Sequence, residues 1–117
     1  MTIHKEFSAS EKLRIASLTT LFWNEHLTSN EFRLVCWLYG NTVVRGKRVG
    51  SYSIMQMVQG IPTSDRTRMW CLGCGLSKSS VIRATASLRE KGAIQTERGF
   101  RATLFAINED WDPGQSD

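Results

Sequence analysis

Gly75-Leu-Ser-Lys-Ser-Ser-Val-Ile-Arg-Ala-Thr-Ala-Ser-Leu-Arg-Glu-Lys-Gly-Ala-Ile94 is the stretch of this 117-residue chain that decides the fold. Gly75 suits the positive φ of a tight turn between helices, and Ser77 is a good N-cap for a helix. Gly92 provides a C-terminal stop for the same helix. The side chains expected to share its packed face are Val81, Ala84, Thr85 and Leu88. The stretch therefore predicts a turn followed by a packed helix at about 77–91.

The opposite face of this predicted helix is short and rich in hydroxyl groups. It carries Lys78, Ser79, Ser80, Ile82, Arg83, Ala86 and Ser87. A helix that enters the major groove of DNA, about 12 Å wide, needs little bulk, hydrogen-bonding side chains and positive charge near the phosphates. The pattern is therefore typical of a DNA-reading helix. The competing interpretation is an amphipathic core helix of an unrelated fold.

A β-hairpin pattern follows the helix. Residues 93–96 and 101–107 are strand-like, and Gly99 lies in the connection, where we expect it to take a positive φ. Arg98 and Arg101 flank the predicted tip, where they could contact the DNA backbone or the minor groove.

Residues 75–94 resemble the G-L-S-x-x-T-V-x-R-x-x-x-x-L-x-x-x-G-x-I motif of winged helix-turn-helix DNA-binding domains. The similarity is to small regulators and replication-protein domains of prokaryotes, phages and plasmids. It implies an α+β, mainly helical fold of three to four helices with a β-hairpin wing. One domain would span 1–107, with the recognition helix at 77–91 and the wing at 93–107, followed by an acidic tail at 108–117.

Two further helices are expected near the N-terminus. Ser8-Ala-Ser-Glu11 and Thr28-Ser-Asn-Glu31 are capping-box patterns, and apolar residues at helical spacing follow each of them. They predict helices over about 10–24 and from 28 to about 40, the second one central in the core. Residues 41–52 indicate a short strand or a hairpin around Gly46.

The helix that pairs with the recognition helix can be placed in two ways. Residues 53–59 form a weak, methionine-rich candidate, and residues 66–73 form another that Ser64 and Asp65 could cap. We favour residues 66–73, because the number of residues between Trp70 and Gly75 matches the spacing that winged helix-turn-helix domains show between this helix and the turn. This segment nevertheless departs from the acid-rich sequence typical of the family.

Positive charge is concentrated in the middle of the chain. Residues 33–101 contain twelve lysines and arginines but three acidic residues, whereas the whole chain carries a net +4. This concentration favours a polyanionic partner, because each neutralised phosphate releases condensed counterions. The side chains expected to contact DNA are Ser77, Lys78, Ser79, Ser80, Ile82, Arg83, Ser87, Arg66, Arg68, Arg98 and Arg101.

Catalysis and metal binding have little support in the sequence. No Ser/His/Asp set, paired-carboxylate motif or phosphate-binding glycine loop is present. Cys71 and Cys74 have metal-like spacing, but a zinc site needs about four ligands and no second pair follows. We therefore expect no catalytic residues, no metal, no cofactor and no small-molecule substrate.

The sequence predicts a sequence-specific double-stranded DNA-binding protein that regulates transcription. The alternatives are a replication-initiation or plasmid-maintenance protein with the same fold, and a winged-helix module that contacts other proteins. With no apolar run of about 18 residues and no signal-peptide pattern, we expect a cytoplasmic protein without membrane contact.

A homodimer is also expected. A two-fold dimer doubles the contacts with a palindromic site. Leu21, Phe22 and Trp23, in the predicted helix at 10–24, form the candidate surface. The alternative is that this helix completes the core of the monomer.

Overall fold

The structure is a computed structural model that describes residues 7–113. Over these residues the chain forms an α+β arrangement of four α-helices and a small antiparallel sheet, with a second, two-stranded sheet. The helices are α1 (Ala9–Ser17), α2 (Ser29–Asn41), α3 (Ile54–Gln59) and α4 (Lys78–Lys91). The strands are β1 (Gly50–Tyr52), β2 (Ile61–Pro62), β3 (Met69–Cys71), β4 (Ile94–Arg98) and β5 (Thr103–Ile107). This arrangement is compatible with the predicted winged helix-turn-helix without being specific to it.

The two N-terminal helices begin where the capping boxes predicted. Ser8 and Thr28 each accept a hydrogen bond from the backbone three residues later, and Glu11 and Glu31 complete the two boxes. A π-helical segment, Leu18–Trp23, continues α1. It begins at two threonines whose hydroxyls donate to the carbonyl oxygens four residues earlier, each at 2.8 Å. Hydrogen bonds of this kind compete with the backbone donors for the same carbonyls and often bend a helix.

Helix α2 forms the centre of the core, as predicted. Its side chains Leu34, Val35 and Leu38 are fully buried, and α2 packs directly against α4. The same core receives side chains from α3, α4, β1, β4 and β5, namely Met57, Val81, Ala84, Leu88, Tyr52, Ile94 and Phe105. The orientation of α4 is therefore set by its packing on α2 and α3.

The main sheet has the strand order β1–β5–β4, with both pairs antiparallel. Strand β1 pairs with β5, so the predicted hairpin around Gly46 is wrong and only the strand of that prediction is present. Gly46 instead occupies a turn with φ 78°.

Strands β4 and β5 form the predicted hairpin after α4, which we call the C-terminal hairpin (residues 94–107). Gly99 lies in its turn but does not have a positive φ, so that expectation is wrong. A Cβ atom at Gly99 would lie 2.6 Å from the carbonyl oxygen of Ala102, whose backbone crosses close by. Glycine is therefore required by this close approach.

The favoured assignment of the helix paired with α4 is wrong. Residues 66–73 form no helix; β2 and β3 instead make a hairpin that we call the inserted hairpin (residues 61–71). Asp65, read as a helix cap, accepts hydrogen bonds from Thr63 and Thr67 and so closes the hairpin turn. Local turn chemistry prevailed over the helix signal.

Helix α3 takes the place beside α4 that residues 66–73 were expected to fill. It begins with a capping box between Ser53 and Gln56 and ends at Gly60, whose φ is 92°. The chain leaves α3 there for the inserted hairpin and returns at Cys74, whose backbone N–H donates to the carbonyl of Met57 at 2.8 Å. The insertion thus leaves α3 and α4 as neighbours.

The start of the predicted acidic tail is packed against the molecule. Trp111 meets Trp23 edge to face with ring centroids 5.4 Å apart, and Trp23 Nε1 donates to the Trp111 carbonyl at 3.1 Å. The remainder of the tail, 114–117, lies outside the described residues. None of the helices within residues 7–113 is long and apolar enough to cross a lipid bilayer.

Candidate nucleic-acid interface

Helix α4 begins as the sequence predicted. Gly75 has a φ of 84° in the preceding turn, and Leu76 packs half-buried against the core. Ser77 is the N-cap, with its Oγ accepting from the Ser80 backbone N–H at 3.2 Å. At the other end, Gly92 adopts the left-handed conformation of a C-cap. Local signals therefore fix both ends of the helix.

One face of α4 is exposed to solvent along its length. Val81, Ala84 and Leu88 are buried. The exposed residues recur mainly at three- and four-residue spacing, which places most of them on the opposite face; they are Lys78, Ser79, Ile82, Arg83, Ala86, Arg89, Glu90 and Lys91. We call the first five of these the α4 outer face. It combines two cations, a hydroxyl, the methyl group of Ala86 and the side chain of Ile82, which is 45% exposed.

Three predicted contact residues on α4 are placed differently. Ser77 and Ser80 hydrogen-bond each other through their hydroxyls at 3.0 Å, within the helix cap. Ser87 donates a hydrogen bond to the carboxylate of Glu31 on α2. The hydroxyl of Ser87 therefore faces another helix, and we leave Ser87 out of the proposed interface.

Glu31 is a buried carboxylate that the sequence marked only as part of a capping box. It is 2% exposed and accepts hydrogen bonds from Thr28 N at 2.8 Å, from Lys91 Nζ at 2.7 Å and from Ser87. Burial opposes its ionisation, but the hydrogen bonds from Lys91, Ser87 and Thr28 outweigh burial and lower its pKa. This cluster ties the last turns of α4 to the start of α2.

Arg66 and Arg68 lie exposed at the tip of the inserted hairpin. The turn is closed between Thr63 and Arg68, where N–H and carbonyl are 2.9 Å apart, and Arg66 has a φ of 60°. Hydrogen bonds from Thr63 and Thr67 lower the pKa of Asp65 to about 2. The tip is therefore a well-defined turn that presents two arginines just before α4 in the chain.

The inserted hairpin is also held from its flank. The guanidinium of Arg45 lies 3.6 Å from the ring centroid of Trp70, a cation–π contact. Trp37 Nε1 donates to the carbonyl of Leu72 at 2.8 Å. The hairpin is thus attached both to α2 and to the loop before β1.

Arg98 and Arg101 are exposed at the tip of the C-terminal hairpin. Their positions on either side of the turn match the prediction. Another cation near α4, which the sequence reading missed, is Arg33 of α2. A Cβ atom added at Gly75 would lie 2.8 Å from its Nη1, so this arginine reaches the turn before α4.

One of the twelve cations of residues 33–101, Arg48, is used in ion pairs within the protein. Arg48 forms ion pairs with Glu11 at 3.0 Å and with Glu109 at 2.8 Å, and its guanidinium lies over the ring of Phe7. Hydrogen bonds from the Ser8 backbone and from Arg48 lower the pKa of Glu11. Arg48 thereby joins the start of α1 to the segment that follows β5.

The cysteines show no shared site. Cys36 is exposed, Cys71 is half-buried and Cys74 is buried, and all three are free thiols. Within residues 7–113, no group of three or more His, Cys, Asp or Glu side chains is placed to hold a metal ion.

In comparisons with known proteins, no family model, no curated protein and no solved structure matches this chain.

Proposed function

We propose that this chain is a winged helix-turn-helix protein that binds double-stranded DNA sequence-specifically and uses that binding to regulate transcription. Helix α4 is the recognition helix, α3 is its partner in the helix-turn-helix, and the C-terminal hairpin is the wing. The observation that carries the proposal is the α4 outer face, which leaves the hydroxyl of Ser79 and the cations of Lys78 and Arg83 exposed.

The composition of this face suits the major groove. Arg83 can hydrogen-bond a guanine edge, Ser79 can bond to more than one base, and Ile82 can contact a thymine methyl group. Lys78, in the first turn, is positioned for a phosphate. A helix face that packs in a protein core does not need hydroxyl and cationic side chains. The base edges and backbone phosphates of DNA can bind both kinds of side chain.

Two pairs of exposed arginines flank α4 in the chain. Arg66 and Arg68 precede the helix on the inserted hairpin, and Arg98 and Arg101 follow it on the C-terminal hairpin. We assign phosphate contacts to both pairs, since contacts of this kind position a protein on the duplex without reading the sequence. In this proposal, the base-reading helix lies between two basic hairpin tips.

The proposed state on DNA is a homodimer. Leu21 and Phe22 are 72% and 60% exposed on the continuation of α1, and a second copy of this chain would cover them. A two-fold dimer places two α4 helices about 34–36 Å apart, one turn of DNA. Trp23 is not part of this surface, because it is buried in the monomer.

The proposal can be tested by selecting a binding site from random-sequence duplexes and measuring affinity in mobility-shift assays. Arg83→Ala should cost about 1–3 kcal/mol and relax the preference at one position of the site. Arg98→Ala should weaken binding to all sequences and lower the slope of log affinity against log salt by about one.

Arg14→Ala is the matched control, because it removes one positive charge that is already paired with Glu109 at 2.8 Å and that lies outside α4 and both hairpins. It should leave DNA affinity unchanged, and thermal melts establish that each variant is folded. If Arg83→Ala and Arg98→Ala both bind like the unmodified protein while folded, DNA recognition by this face is wrong. A protein-interaction module would then be the better assignment.

A further inference from the structure

Phe100 is an uncovered aromatic side chain at the tip of the C-terminal hairpin. It is 93% exposed, the highest exposure among the large hydrophobic residues described. Burying a phenylalanine ring stabilises a protein through the hydrophobic effect, and the isolated chain lacks that stabilisation here. A ring held in this position has its contact surface available for a partner.

Phe100 lies at the end of a fully paired hairpin. Strands β4 and β5 pair along their whole length, from Ile94 opposite Ile107 to Arg98 opposite Thr103. The Gly99 N–H donates to the Ala102 carbonyl at 2.9 Å and closes the turn. The ring is therefore presented by a paired hairpin with a closed end.

The charge around Phe100 indicates what kind of partner it meets. Arg98 and Arg101 flank it, and the Arg101 guanidinium lies 5.2 Å from the ring centroid. Glu97, also on β4, lies three residues before Phe100, whereas Arg98 lies two residues before it and Arg101 directly follows it. An apolar ring with one cation on each side is complementary to a nucleic acid, because the ring can contact stacked bases and the cations can contact phosphates.

The length of the hairpin fits the spacing of DNA grooves. Strand β4 begins two residues after the end of α4 at Gly92, and its five residues extend about 17 Å at 3.4 Å per residue. Half a turn of the duplex is also about 17 Å. With α4 in the major groove, the tip can reach the neighbouring minor groove.

We propose that Phe100 is an apolar wedge that enters the minor groove and partly separates two stacked base pairs, while Arg98 and Arg101 hold the adjacent phosphates. This inference rests on the proposed function and adds a DNA deformation to it. Apolar wedges of this kind kink the duplex by about 20–90° towards the major groove. Flexible pyrimidine–purine steps are the preferred points of entry, because they unstack most easily.

The test uses the full chain and its selected duplex with two readouts. Fluorescent dyes at the duplex ends report bending through energy transfer, and 2-aminopurine at successive steps beside the α4 site reports unstacking. The unmodified protein should shorten the end-to-end distance and raise 2-aminopurine emission at one step. Phe100→Ala should lose both signals, and Phe100→Leu, which keeps an apolar wedge, should retain them.

Leu13→Ala is the matched control, because Leu13 is an exposed apolar residue on α1 and should change neither readout. If the protein binds its duplex but Phe100→Ala bends and unstacks it equally, the wedge is wrong and the proposed function stands. If the unmodified protein binds no duplex, the proposed function fails and the wedge with it. Phe100-dependent binding to anionic phospholipid vesicles with no effect on DNA would assign the tip to a lipid surface and overturn the inference.

Discussion

At the scale of a single residue, Glu31 of α2 holds the last turns of α4 through hydrogen bonds to its carboxylate. Its carboxylate is buried between α2 and α4 and receives hydrogen bonds from both helices. Glu31→Gln keeps the shape but removes the negative charge that Lys91 faces. We expect a loss of about 1–3 kcal/mol in the free energy of unfolding at neutral pH, as for a lost hydrogen bond to a charged group.

The pH dependence of this loss follows from the direction of the pKa shift. The pKa of Glu31 is lowered in the folded state from its ordinary value of 4.5, so at acid pH the unfolded chain binds more protons. Its contribution to stability is therefore full above pH 4.5 and is lost as pH falls through the folded pKa. Urea unfolding across this range should show Glu31→Gln converging on the unmodified protein, whereas Glu97→Gln, an exposed control, should match it throughout.

Two glycines form a matched pair for backbone strain. Gly60 has a φ of 92°, and an added Cβ would lie 2.4 Å from the Cys71 carbonyl oxygen, whereas nothing lies within 4 Å of a Cβ at Gly40. Gly60→Ala should destabilise the fold by about 1–3 kcal/mol. Gly40→Ala, inside α2, should stabilise it by up to about 1 kcal/mol. Equal effects of the two changes in denaturant unfolding would contradict the assigned role of Gly60.

At the scale of an element, the start of α4 contains one serine that stabilises the helix and another that is exposed to solvent. Ser77 supplies the N-cap hydrogen bond, while Ser79 is exposed two residues later. Ser77→Ala should lower stability by about 1 kcal/mol, as expected for the loss of a cap. Ser79→Ala should leave the melting temperature almost unchanged and reduce affinity for the selected duplex.

Calorimetry and mobility-shift assays on the same preparations would check this separation. A Ser79→Ala variant that loses stability but keeps full affinity would contradict it. The comparison is informative because both changes remove one hydroxyl group from the same end of one helix.

Elements with signals in their own sequence were predicted correctly. Helices α1, α2 and α4 follow capping residues and helical spacing, and α4 ends at a glycine whose φ is positive. The inserted hairpin was missed because Asp65 suits both a helix cap and a turn, and its local sequence does not choose between them. The correct partner of α4 was the weaker local candidate, α3, whose Met57 is fully buried in the core.

For the molecule as a whole, the exposed apolar residues on the continuation of α1 set the expected assembly. We expect a dimer at micromolar concentration without DNA, held by Leu21 and Phe22. Changing both residues to aspartate should give a monomer in sedimentation equilibrium, because two charges would then have to be buried. Leu72→Asp, a control at another highly exposed leucine, should leave the dimer intact. An unmodified protein that is monomeric without DNA would contradict the dimer in free solution, and one that binds its duplex as a monomer would contradict the dimer on DNA.

The sequence by itself determined the α+β class, the limits of α4 and the hairpin that follows it, because capping residues, glycines and hydrophobic periodicity act over a few neighbours. Only the tertiary structure decided which helix pairs with α4, which serines remain uncovered and which arginines are used in ion pairs. Ser87 and Arg48 illustrate the reason: their partners Glu31, Glu11 and Glu109 are 37 to 61 residues away in the chain. Contacts at such separations depend on how the elements pack, and no local pattern encodes them.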